Sequence, residues 1–182
     1  MHKRGAPDSK LKFGPLWDFD LSAGNDDGVK DASKPAAPDN DNGNWCPQGW
    51  FTRWVSSDYA MPMLNVPEFK RLAEARWEYL SSRLPDLQAY IDQASANMAD
   101  AQARNFAPDA KASLEVRVWP NWVVLPTYQE EVDYLKLWLQ ERADWMDIAI
   151  PAEAVDYDQK PLCPTWLNTY NAGWIPGASP SP

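Results

Sequence analysis

Two carboxylates, Asp18 and Asp20, stand two positions apart in the run Lys10-Leu11-Lys12-Phe13-Gly14-Pro15-Leu16-Trp17-Asp18-Phe19-Asp20-Leu21. Lys10 to Phe13 alternates polar and apolar side chains, which is the period of a half-buried strand. Gly14-Pro15 ends that strand's regular pairing, so both aspartates fall at the mouth of a strand. A hard divalent cation such as Mg²⁺ takes one or two carboxylates and completes its shell with waters and substrate phosphates. Protein kinases use one such Asp after a hairpin strand to hold the metal against the phosphates. Asp18 fits that position, with Trp17 and Phe19 packing on the protein to stiffen the backbone between the ligands. An Asp-x-Asp at a strand end also serves as turn chemistry or as a helix cap. The residues alone leave both readings open.

Other chemistries find less support. His2 is the sole histidine, so neither a Ser-His-Asp nor a Cys-His scheme has a plausible base, and zinc lacks its usual ligands. Cys46 and Cys163 fit no metal-binding spacing; an oxidising compartment would allow them to pair and the cytosol would leave them free, and spacing alone does not decide between the two. Asp39-Asn40-Asp41-Asn42-Gly43 suggests a calcium loop, but its Gly falls one place early and Trp50 stands where the closing Glu belongs. With 17 basic against 26 acidic residues the chain carries a formal charge of −9, which argues against nucleic-acid binding. No run approaches the ~20 apolar residues of a membrane-spanning helix. Met1 to Arg4 is basic, but Gly5-Ala6-Pro7-Asp8 follows where a signal peptide needs an apolar core.

The elements that must position Asp18 and Asp20 follow from periodicity. Met1 to Arg4 pairs with Lys10 to Phe13 as a hairpin across a turn at residues 5–9. Two strands alone are marginal in water, so the hairpin needs the rest of the chain, or a partner sheet, to cover it. Residues 26–44 hold almost nothing to bury and read as a solvated loop. Trp50, Phe51, Trp54 and Val55 share one face of a short helix. Pro67 then opens an amphipathic helix with Phe69, Leu72, Ala73, Arg76, Trp77, Leu80 and Leu84 at spacings of three and four, closed by Pro85. A second helix carries Leu87, Tyr90, Ile91, Ala94, Met98, Ala101 and Phe106 and stops near Pro108. A third starts at Pro126-Thr127, carries Tyr128, Val132, Leu135, Leu139, Arg142 and Met146, widened by Trp138 and Trp145, and ends near Ile150-Pro151. Three such helices can bury one core. The fold class is α+β, mostly α, with an N-terminal β-hairpin leading to the metal-Asp motif and a three-helix subdomain behind it.

Gly14-Pro15-Leu16-Trp17-Asp18-Phe19-Asp20-Leu21, followed by Gly24-Asn25, resembles the CotH kinase family, spore-coat and secreted protein kinases with an atypical kinase-like fold. Trp54, Pro67-Glu68-Phe69, Arg76-Trp77 and Leu80 are similar to the family's next segment. Ala103-Arg104-Asn105-Phe106 is similar to its following helix end. Glu131-Val132, Leu135-Lys136, Trp138-Leu139, Arg142 and Trp145-Met146 are similar to its last helix. The resemblance spans residues 1–148 and leaves 149–182 as a Trp- and Pro-containing tail.

The resemblance implies that Asp18 is the metal-binding aspartate, that Asp20 is a second carboxylate beside it, and that Mg²⁺ and ATP serve transfer of phosphate to serine of a protein substrate. It implies a setting outside the cell or on a spore or cell surface. In kinase-like folds the loop with the base and the nucleotide-covering lobe come before this motif. The chain is therefore expected to be the C-terminal part of such a kinase, inactive alone, and no catalytic residue is assigned within it. Arg76 and Arg142 interrupt apolar faces beside tryptophans; one of them braces Asp18 or Asp20, or each snorkels or pairs with a surface Glu. The 11 tryptophans support an alternative. Trp45, Trp50, Trp119, Trp122, Trp166 and Trp174 lie near loops, and exposed indoles there would make the chain a carbohydrate-binding or coat-interaction module with no catalysis.

Overall fold

The computed structural model describes Ala23, Pro47, residues 63–110, Leu114 and residues 125–152. The expected hairpin, Asp18, Asp20, the loop 26–44, the short helix around Trp54, both cysteines and the tail beyond residue 152 lie outside the described residues. Within them the chain is helical: α1 (Pro67–Ser81), α2 (Leu84–Asn97), α3 (Ala99–Asn105) and α4 (Tyr128–Ala149). The mostly helical reading holds there, and the described residues contain no strand.

Prolines set the helix starts, and each does so for the same reason. The first turn of a helix has amides without intrahelical acceptors, so a residue lacking its N–H loses nothing there. Pro67 opens α1 behind an extended Val66, with Glu68 at the positive end of the helix dipole. Pro85 was expected to close that helix. Instead α1 ends at Ser81, where the Ser82 amide donates to the Glu78 carbonyl at 3.2 Å. Pro85 then sits in the first turn of α2.

The expected second helix is corrected to two. Met98, at φ −94° and ψ 2°, caps the end of α2 and the start of α3 together. Its amide donates to the Ala94 and Ser95 carbonyls, both at 3.1 Å, and its own carbonyl accepts from Gln102 at 2.8 Å. Ser95 and Asn97, both of lower helix propensity than Ala or Leu, lie beside the break. No residue of α2 or α3 is buried, so packing does not hold the rod straight across this weak point.

The helix α4 starts from a side-chain cap. The Thr127 hydroxyl accepts from the Glu130 amide at 3.2 Å and donates to the Glu130 carboxylate at 2.6 Å, which satisfies one of the orphan amides of the first turn. Its 22 residues span about 33 Å, and Pro151 follows two residues after its end. Its fully buried residues fall on two sides. At about 100° per residue, Val132, Ala143 and Ile150 share one side, while Tyr134 and Trp138 lie nearly opposite.

The first side receives α1 and α2, both antiparallel to α4. Lys136 of α4 donates to the two carboxylate oxygens of Asp92 at 2.6 and 2.8 Å. Gln88 donates to Gln140 at 3.3 Å. Along α1, Lys70 reaches the Ala152 carbonyl and the Trp77 indole donates to Asp147 at 2.6 Å. These contacts turn α1 by roughly a quarter of a circle from the face its apolar spacing predicts. Lys70, Ala73, Glu74, Trp77 and Ser81 are half-buried toward α4, while Phe69, Leu72 and Leu80 are exposed, Leu72 at 53%. The stripe expectation is corrected for this reason: two long-range polar contacts, one of them to a carboxylate, fix the rotation.

Two stability outcomes follow. Trp138→Ala empties a buried indole site and is expected to cost about 3–5 kcal/mol in urea unfolding. Thr127→Ala removes the cap and is expected to cost about 1 kcal/mol in the same measurement.

Candidate functional site

The described residue nearest the Asp18/Asp20 motif is Ala23, three positions past Asp20. It lies in a turn with φ 54°, the left-handed region that favours glycine and is uncommon for any residue with a Cβ. The chain thus turns sharply just after the motif. Asp18 and Asp20 themselves lie outside the described residues. Among those described there is no group of three or more His, Cys, Asp or Glu side chains able to hold a metal ion.

The helices contribute two polar centres. One is a seam where α1 meets the end of α4, an open groove of about 560 Å³ lined by Arg71, Glu74, Trp77, Glu78, Asp147 and Pro151. Its cation is already engaged, because Arg71 pairs with Glu68 at 2.7 Å on the helix surface. The Trp77–Asp147 bond closes its wall.

The second centre is Arg142, on the side of α4 away from α1 and α2. Its guanidinium stacks 4.7 Å from the centroid of the Trp145 ring, and one terminal nitrogen donates to the Pro47 carbonyl at 3.0 Å. Pro47 is fully buried. Burial pulls the Arg142 pKa down to about 10, because a charged group loses hydration in a poorly polar surrounding. Arg76 contrasts with it: exposed, with its guanidinium 5.1 Å from the Tyr79 ring centroid. Of the two arginines singled out by sequence, the structure therefore gives Arg142 a buried junction and Arg76 a surface stack.

Sequence reasoning missed the partners in these contacts. Arg142 and Pro47 are 95 residues apart and Trp77 and Asp147 are 70 apart, and no local spacing signals either pair. An arginine interrupting an apolar helix face next to Trp145 was the one available sign. Three of the tryptophans are described: Trp138 is buried, and Trp77 and Trp145 are half-buried. The six proposed as stacking platforms lie outside the described residues.

Glu131, in the first turn of α4, accepts from the Leu125 amide at 3.0 Å. Burial raises its carboxyl above the ordinary 4.5, the Leu125 bond opposes that, and neighbouring Glu130 adds to it. A carboxyl whose pKa is higher folded than unfolded binds more protons in the folded state across that window, so its contribution to stability falls as pH rises through it. Glu131→Gln keeps an oxygen for the Leu125 amide and removes the charge. It is expected to raise Tm relative to the parent at pH 7, with the difference vanishing at pH 4.

Among the described residues no helix is long and apolar enough to cross a membrane. No curated protein and no solved structure matches the chain. The family described as CotH kinase protein matches residues 2–146, a stretch that takes in the Asp18/Asp20 motif and all of α1 to α3, and reaches Met146 near the end of α4. With well over half of its length so matched, the chain belongs to the CotH kinase family.

Proposed function

We propose that the chain serves ATP- and Mg²⁺-dependent phosphorylation of protein serine, with Asp18 holding the metal and Asp20 as the second carboxylate. The observation that carries this reading is the family match over residues 2–146, which spans the motif. The donor set fits the ion: Asp18 and Asp20 offer hard carboxylate oxygens, and Trp17 and Phe19 between them bring no soft ligand. When held by Asp18 and Asp20, Mg²⁺ would neutralise the negative charge that develops on phosphate transfer. The chain's own residues orient that chemistry. Asp18 would supply the carboxylate that holds the ion, and the left-handed Ala23 redirects the backbone three positions past Asp20. No residue of this sequence is assigned as the base that takes the serine proton. The family's setting, extracellular or on a spore or cell surface, belongs to the same proposal.

The test is Mg²⁺-dependent ATP binding, followed by intrinsic tryptophan fluorescence of the purified chain. Mg²⁺ with ATP is expected to change the emission. Asp18→Ala is expected to weaken that response at least about tenfold, in line with the loss of one charge-assisted ligand, while far-UV circular dichroism stays the same. An unaltered response in Asp18→Ala would remove this residue from the metal site.

A further inference from the structure

The face of α4 opposite α1 and α2 carries Arg142, a charged side chain lying largely out of water on the helix that forms the core. Removing a guanidinium from water is costly unless its donors and its planar faces find partners. Both kinds of partner are present. Trp145, three residues on, supplies an aromatic face at 4.7 Å, an arrangement whose attraction grows as water is excluded. The Pro47 carbonyl supplies an acceptor at 3.0 Å. A hydrogen bond from a charged donor is worth more than a neutral one, and Pro47 is buried together with it. Proline is suited to the accepting side: it keeps its carbonyl, and its ring adds apolar surface without an amide that would itself need a partner.

We propose that Arg142 and Trp145 form a socket that anchors the chain at Pro47 onto α4. Arg142 is a positioning residue in this role. It ties the part of the chain that follows the Asp18/Asp20 motif to the helical subdomain, and it does so through a main-chain acceptor, so the identity of the anchored side chain matters less than its carbonyl. The inference goes beyond the kinase reading and does not rest on it; the anchor stands or falls by geometry alone.

Hydrogen–deuterium exchange of the full 182-residue chain tests it. In Arg142→Met, peptides around residues 45–52 are expected to exchange about tenfold faster or more, as loss of a charged hydrogen bond implies. Peptides of α1 and α2 are expected to keep their rates. A socket also predicts graded rescue: Arg142→Lys keeps a charged donor but loses the planar stack, and is expected to fall between parent and Met variant. Pro47→Ala keeps the carbonyl and is expected to keep most of the protection. Unchanged exchange at 45–52, or an equal acceleration in all helices, would overturn the proposal, the second by making Arg142 an ordinary core residue. If Arg142→Met does not fold, Arg142→Lys decides by the same regional comparison.

Discussion

A helix buried on two opposite sides cannot rotate or slide without exposing one of them, and α4 is such a helix. Val132, Ala143 and Ile150 fill one side, and Tyr134 and Trp138 the other. Large aromatic and aliphatic side chains gain about 1.5–3 kcal/mol each when fully buried, so the placement of α4 sets the frame for everything packed on it. The polar ties are secondary in energy and decisive in register. Lys136 with Asp92, Gln88 with Gln140 and Trp77 with Asp147 fix where α2 and α1 stand along α4. Exposed ion pairs add little stability, yet each of these has one geometry that satisfies both partners.

The two sides of α4 do different work. The side bearing α1 and α2 completes a helical scaffold in which α1, α2 and α3 follow one another through short connections. The side bearing Arg142 meets Pro47, far away in sequence, and so joins the scaffold to the front of the chain. A buried cation is a poor way to gain stability, because desolvation offsets most of the attraction. It is a good way to select one arrangement, since a guanidinium without its acceptor and its aromatic face would be strongly unfavourable there.

Much of the helical architecture was legible along the chain. Pro67 opens α1 and Pro126-Thr127 opens α4, because proline and a capping hydroxyl act within one helical turn of their own position. The long stripe of α4 also marked a helix there, ending near Ile150-Pro151. The break at Met98 was harder to read. Apolar residues continue in helical period through it, and the weak helix propensity of Ser95 and Asn97 tells there because no residue of α2 or α3 is buried. The proposed metal motif, Asp18 and Asp20, rests on residue type, spacing and family resemblance, and the described residue nearest to it is Ala23.

Sequence by itself determined what local forces settle: where helices begin, which segments are amphipathic, and which family the motif resembles. Those follow from contacts within a few residues, which the order of amino acids encodes directly. Tertiary structure alone decided how α1 is rotated, which side of α4 each neighbour takes, and which carbonyl receives Arg142. The apolar spacing of α1 favours Phe69, Leu72 and Leu80 as its inward face, but Trp77 and Lys70 find their acceptors 70 and 82 residues away. Such choices depend on partners brought together only when the chain has folded, and hydrophobic periodicity specifies how much surface seeks burial without specifying against what.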